Sequence, residues 1–224
     1  MNPVPWPTLN AELVLTVVEA AAVLTSAIAG MLVASNKKMD VVGAFALACV
    51  NAFGGGTVRD LLLDNRPFYW MQRWELLIAI LVICIPFVYN ARVYRLASEV
   101  HRRAVKVDAV GLALFTIVGV GGAREQGAPL VIAAMMGVIT GTMGGVLRDV
   151  VVNEIPDLFR PGGLYATASF AGSLAFIAAL ENSVRYSYAV GIGFVVIVAL
   201  RLLSLRHGVS VPVPQWHEDE VRKG

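Results

Sequence analysis

The sequence predicts an all-α polytopic membrane protein, with seven transmembrane helices forming two inverted three-helix repeats plus one C-terminal helix. Three observations predict it: an apolar composition, seven runs long enough to span a bilayer, and a motif that occurs twice. Residues of the set AVILMFWYC make up 57% of the 224-residue chain and charged residues 15%, against roughly 45–50% apolar and about 25% charged in soluble proteins. Mean hydropathy is +0.70. A soluble domain of this size cannot hide that much apolar surface, so the excess faces lipid. The same figures exclude disorder, collagen, coiled coil and a disulfide-stapled secreted module. A net charge of +2 is too small to suggest nucleic-acid binding. Cys49 and Cys84 lie in apolar runs and read as buried thiols.

A spanning helix needs about 20 mostly apolar residues. The runs are Leu13–Ala34, Met39–Leu63, Trp74–Tyr94, Ala104–Gly122, Ala128–Val152, Leu164–Leu180 and Val184–Leu203. Met1–Pro7 carries three prolines and no positive charge, which is not a signal-peptide n-region, so the first span is expected to remain. Trp70 and Trp74 fit an interfacial aromatic belt before the third span. Connections are short, so residues 1–206 read as a single membrane domain. Repeat one covers about 13–94, repeat two about 104–180 and the seventh helix about 184–203, with 207–224 as a polar tail.

Lysine and arginine placement sets the orientation. With the N-terminus outside, the inner side collects twelve basic residues, among them Lys37, Lys38, Arg160, Arg201 and Arg206. The outer side holds Arg66, Arg73, Arg124 and Arg185. The C-terminus is therefore expected in the cytoplasm of a prokaryotic cell whose inner membrane the chain crosses. Arg102, Arg103 and Lys106 open the fourth span; they set topology or hold an anionic lipid headgroup.

The two remaining arginines, Arg59 and Arg148, expose the repeat. Gly54–Pro67 reads GGGTVRDLLLDNRP and Met143–Pro156 reads MGGVLRDVVVNEIP. An offset of 89 superposes Gly55 on Gly144, Gly56 on Gly145, Arg59 on Arg148, Asp60 on Asp149 and Pro67 on Pro156. It also places Gly30 on Gly119 and Glu19 on Asp108. The copies sit on the second and fifth spans. Three spans apart is an odd number, so the copies enter the membrane in opposite directions. Inverted repeats are typical of proteins that move solutes, with the path near the repeat interface. A retinal-type pump needs a lysine in the seventh span, and Val184–Leu203 has none.

Glycine weakens a helix by about 1 kcal/mol relative to alanine and permits kinks. Gly54, Gly55 and Gly56 are expected to interrupt the second helix, and Gly144 and Gly145 the fifth, freeing carbonyls for a cation path. Close packing is the other reading, and it fits Gly137, Gly141 and the face Ala44, Ala48, Ala52 equally well. An intramembrane charge costs roughly 2.5–3.5 kcal/mol at the centre of a span on insertion scales. Matched depths predict two cross-helix ion pairs, Glu19 with Arg59 and Asp108 with Arg148, at opposite mouths of one pathway; snorkelling is the alternative for the arginines. Asp60 and Asp149 are expected to point away from the adjacent arginines, because neighbouring helix positions diverge by about 100°. No nucleophile constellation, phosphate loop or metal-ligand spacing appears among His101, His207 and His217. Neither enzyme activity, a cofactor nor a metal is expected.

The doubled segments GGGTVRDLLLDNRPFYW and GGVLRDVVVNEIPDLF resemble prokaryotic members of the TRIC family, the trimeric intracellular cation channels. This group overlaps a bacterial family named for a glycine-transporter domain. The resemblance runs from about Leu13 to Leu205. It implies two inverted three-helix repeats plus one helix, and a symmetric homotrimer in the membrane. It implies a pore in each subunit between kinked helices 2 and 5, passing potassium and sodium near Gly54–Gly56 and Gly144–Gly145. Arg59 and Arg148 match the family motif. Animal members carry a Lys-Glu-Val motif for phosphoinositides that is not found at the start of the second or fifth span here, which leaves membrane lipids as the expected non-protein partner. The domain's other name keeps a second reading, a secondary transporter for a small amino acid such as glycine.

Overall fold

The computed structural model describes residues 9–90, 101–160 and 164–209, without the side chains of 9–12 and 101–106. Among these it holds eight helices: α1 (Leu9–Asn36), α2 (Val41–Leu62), α3 (Tyr69–Gln72), α4 (Trp74–Tyr89), α5 (His101–Glu125), α6 (Leu130–Val151), α7 (Ala166–Glu181) and α8 (Tyr186–His207). Five are long and apolar enough to cross a membrane: α1, α2, α5, α6 and α8. The expected third and sixth spans correspond to α4 and α7, apolar helices of 16 residues each. Sixteen residues rise about 24 Å, short of the roughly 30 Å hydrocarbon core. Residues 91–94 of the expected third span lie outside the described residues, as does the tail beyond Val209.

The motif spacing is explained by how the helices stop. α2 and α6 both have 22 residues, with bounds 89 apart. At their ends Asp64 (φ 51°) and Asn153 (φ 56°) take the left-handed conformation. The next amides, of Asn65 and Glu154, return to the carbonyls of Asp60 and Asp149 at 2.8 Å each. This is a C-terminal cap in which short polar residues tolerate positive φ, and a proline soon after prevents continuation. The same construction ends α1 and α5. Lys38 (φ 55°) and Gly127 (φ 77°) precede the amides of Met39 and Ala128, which bond the carbonyls of Ala34 and Ala123 at 3.1 and 3.0 Å. At its start, α2 is capped by Asp40, whose Oδ1 accepts from the Gly43 amide at 2.8 Å.

Packing repeats as well. α1 lies on α2 and α5 on α6; α4 packs on α1 and α2, α7 on α5 and α6. α1 also meets α5, and α2 meets α6, while α8 covers α7 and α5. Gly30 lets α1 approach the Leu47 carbonyl of α2; Gly119 lets α5 approach the Met136 carbonyl of α6, 89 positions on. A methyl at either would come within 2.9 Å of that oxygen. The alanine face of α2 (Ala44, Ala48, Ala52) is fully enclosed. Gly137 and Gly141 seat α6 against the Thr116 and Leu112 carbonyls of α5. Small residues here let backbones touch. Val42, Val82, Val131, Val150 and Val195 are more than half exposed, as expected of a lipid-facing surface.

Candidate functional site

The expected glycine breaks are not breaks. Helix runs without interruption through Gly54–Gly56 and through Gly144–Gly145. Gly55 lies against the Thr140 carbonyl, and Gly144 against the Asn51 carbonyl; any side chain at either would overlap that oxygen. The contact is reciprocal, since 55 and 144, and 51 and 140, are both 89 apart. The pair therefore serves the close crossing of α2 and α6. Gly54 faces the Leu147 side chain and Gly145 the Tyr165 hydroxyl, whereas Gly56 has nothing within 4 Å. Gly56 opens instead onto a small space of about 20 Å³ beside Glu19, Arg59 and Tyr69, room for one water.

Two polar cavities lie at opposite ends of the α1–α2–α5–α6 bundle. One, of about 340 Å³, is lined by Glu19, Arg59, Tyr69, Glu125, Asn65 and Gln126 among others. The other, of about 200 Å³, is lined by Lys37, Asp108, Arg148, Asp149, Glu154 and Asp157 among others. From Glu19 to Val33, which lines the second cavity, α1 climbs about 21 Å. Between them the bundle is filled. Ser26, Ala27, Leu112 and Asn51 are buried, and Asn51 Nδ2 donates to the Ser26 carbonyl at 2.6 Å.

Both arginines are about 94% enclosed (6% exposed), so neither snorkels. Arg148 Nη1 donates to Asp108 Oδ1 at 2.8 Å, the pair expected across α5 and α6. The expected partner of Arg59 is different. Among the described residues Glu19 makes no ion pair with Arg59, although the two share a cavity. Arg59 instead binds Asp60 through Nε (2.9 Å) and Nη2 (2.8 Å). Arg148 binds Asp149 in the same way, both at 2.8 Å. The aspartates therefore do not point away from their arginines. The 100° divergence holds at Cβ, but the long arginine chain curls around the helix to reach its neighbour. Each aspartate also fixes the following loop: Asp60 Oδ2 accepts from the Tyr69 amide at 3.2 Å, Asp149 Oδ2 from the Asp157 amide at 3.4 Å. With its fork committed to Asp60, Arg59 leaves the Glu19 carboxylate to the cavity.

The contacts around Arg201 and Glu154 were not anticipated. Arg201 on α8, 2% exposed, donates to Asp157 Oδ2 at 2.9 Å and lies over the Tyr165 ring at 4.7 Å. Lys37 Nζ meets Glu154 Oε1 at 2.6 Å, and Arg160 Nη2 meets Glu154 Oε2 at 3.3 Å. These two contacts hold the Glu154 carboxyl below the usual carboxylate range, the Lys37 hydrogen bond most. Asp108 Oδ2 is buried without a partner. Arg102, Arg103 and Lys106 lie on the first turns of α5 with side chains outside the described residues.

A family profile described as "Glycine transporter" matches residues 16–92 and again 105–181. The chain belongs to the glycine-transporter family. Both edges of the second match fall 89 residues after those of the first, the offset of the doubled motif. A family relative, the inner membrane protein YadS of Escherichia coli K12, is 37% identical over 188 residues, 83% of this chain and 89% of its own. The membrane protein YvgT of Bacillus subtilis is 31% identical over 192 residues, 85% and 91% of the two chains. The likeness to TRIC channels is also found. The TRIC trimeric intracellular cation channel orthologue from Rhodobacter sphaeroides superposes with a TM-score of 0.81 at 34% identity, covering 88% of this chain and 99% of that one. A prokaryotic TRIC channel solved in 0.5 M KCl gives 0.80 at 26% identity, covering 89% and 100%. This member of the glycine-transporter family is thus a multi-pass, all-helical membrane protein with the TRIC fold.

Proposed function

We propose that the protein is a monovalent-cation channel, passing potassium and sodium along a route inside each subunit between α2 and α6. The observation that carries the reading is the pair of charged cavities at the two ends of one helical bundle, each built around a buried arginine of the doubled motif. Similarity to structures described as cation channels supports it. Glu19, Arg59 and Asp60 shape the outer mouth; Asp108, Arg148 and Asp149 shape the inner one. Among the charged groups lining the outer cavity, Glu19 and Glu125 outnumber Arg59, a balance that concentrates cations. Gly54, Gly55 and Gly144 bring the two lining helices together, while Gly56 and Gly145 border the route beside Arg59 and Tyr165. Seven spans in two inverted three-helix repeats (13–94 and 104–180) plus α8 fit the shared 89-residue offset of helix bounds, caps and contacts. A homotrimer, with the N-terminus outside, the C-terminus cytoplasmic and lipid at Arg102, Arg103 and Lys106, completes the reading.

Planar-bilayer recording of purified protein in symmetric potassium chloride tests it. Unitary picosiemens steps, with reversal potentials that follow the cation gradient, are expected. Silence in the bilayer together with saturable glycine uptake by liposomes would replace the channel with a carrier.

A further inference from the structure

The two mouths differ at positions that the repeat relates. At one, Lys37 just beyond α1 is joined to Glu154 just beyond α6 at 2.6 Å, bridging 117 residues of sequence. Both residues line the cavity that holds Asp108 and Arg148. The contact therefore lies across the rim of that cavity and ties the end of the first helix of one repeat to the end of the second helix of the other. The positions 89 residues away are Gln126 and Asn65. They line the opposite cavity, are uncharged, and make no hydrogen bond with each other among the described residues. The bridged rim is also braced from behind. Arg160 holds the second oxygen of Glu154 at 3.3 Å, and Asp157, three residues on, is held by Arg201 from α8 at 2.9 Å. α8 has no counterpart in the repeat, and the positions matching Asp157 and Arg160 are Phe68 and Met71, which cannot form these ion pairs.

From this asymmetry we infer that the Lys37–Glu154 bridge is a clasp that gates access to the Asp108–Arg148 cavity, in addition to the filled centre of the bundle. The other mouth carries no such clasp among the described residues. The inference adds a gate to the proposed pathway, but the clasp itself is detectable without any current. Separating the ends of α1 and α6 requires the bridge to part, whatever passes afterwards. Both partners are solvent-screened, so the clasp biases opening by at most about fivefold rather than locking it.

The test uses full-length protein in liposomes with Cys49→Ala and Cys84→Ala, and one new cysteine at Val33 (clasped cavity) or Leu15 (open cavity). The rate of modification by a small, cationic, membrane-impermeant methanethiosulfonate is read. K37Q and E154Q are expected to speed labelling of the Val33 cysteine up to about fivefold. The double variant should be no faster than E154Q alone, because both changes remove one bond. The Leu15 cysteine should label quickly and equally in all of them, which also reports an intact fold. Installing a second clasp with N65E and Q126K should slow the Leu15 cysteine and leave the Val33 cysteine unchanged. Unchanged Val33 labelling in K37Q and E154Q, or effects that multiply in the double variant, overturns the clasp. Accelerated labelling in a protein that passes no current keeps the clasp and removes the channel reading.

Discussion

Arg59 and Arg148 occupy matched positions in the repeat, yet their surroundings predict opposite responses to mutation. Arg148 is held by two carboxylates, one of them on another helix. Removing a partner from a buried pair costs about 3–5 kcal/mol. Asp108→Asn leaves Asp149 in place, so a loss near or below the lower end of that range is expected, seen as a clear fall in Tm in detergent. Among the described residues Glu19 has no ion pair to lose. Glu19→Gln should leave Tm nearly unchanged and instead lower cation conductance, most strongly at low ionic strength where fixed charge is least screened; a large fall in Tm with unaltered conductance would reverse the assignment. The pH response belongs to Glu154. Its carboxyl is depressed by Lys37 and then Arg160, so the contact is complete above the ordinary glutamate value of about 4.3. It is lost as pH falls through the lower folded-state value. Open probability should be flat above that ordinary value and rise only as pH falls through the lower folded-state one, and E154Q should remove this acid limb. Arg160 and Asp157 beside Glu154, and Asp108, Arg148 and Asp149 deeper in the cavity, are the other charges facing it. The sequence exposed Arg148–Asp108 because both residues recur in register. It hid the Arg59–Asp60 contact, which depends on side-chain reach rather than helix phase. Arg201 was counted as a topology charge, since a helix with no second copy offers nothing to align it with.

At the level of helices, the repeated motif is mostly a set of instructions for stopping and crossing. Asn153 holds a left-handed backbone at the end of α6, where a side chain on an L residue costs roughly 1–2 kcal/mol. Asn153→Gly is expected to be neutral or slightly stabilising and Asn153→Val to lower Tm; equal Tm values would remove the capping account. The crossing makes a sharper case. Gly55→Ala and Gly144→Ala drive a methyl into a backbone oxygen of the other helix, an overpacking that costs about 1–3 kcal/mol each. Gly56→Ala meets nothing within 4 Å and gains up to about 1 kcal/mol of helix propensity. Thermal unfolding of the three variants, followed by tryptophan fluorescence, should therefore separate Gly56 from the other two. The pattern of glycines was legible in the sequence, but its purpose was not. A kink and a close crossing ask for the same residue, and only the facing helix distinguishes them. α4 and α7 were expected as spans from the length of the apolar runs Trp74–Tyr94 and Leu164–Leu180, whereas each described helix has 16 residues.

For the whole molecule, the proposed orientation and trimer can be measured directly. A C-terminal reporter that fluoresces only in the cytoplasm should be bright, and native mass spectrometry in mild detergent should give three copies. A dark reporter would invert both mouths. The membrane class was legible from composition alone, whereas the bridge between Lys37 and Glu154 joins loops 117 residues apart and left no local trace. The reciprocal contact between α2 and α6 has a consequence for ancestry. Gly55 packs on the backbone four residues before Gly144, and Gly144 on the backbone four residues before Gly55, which is the geometry of a self-complementary dimer interface. A lone half of about 90 residues would find the surface its glycine requires on a second copy of itself inserted upside down. Such a half, expressed alone without a fixed orientation, is expected to pair across the bilayer, and fusion of two genes would then freeze a partnership that already existed.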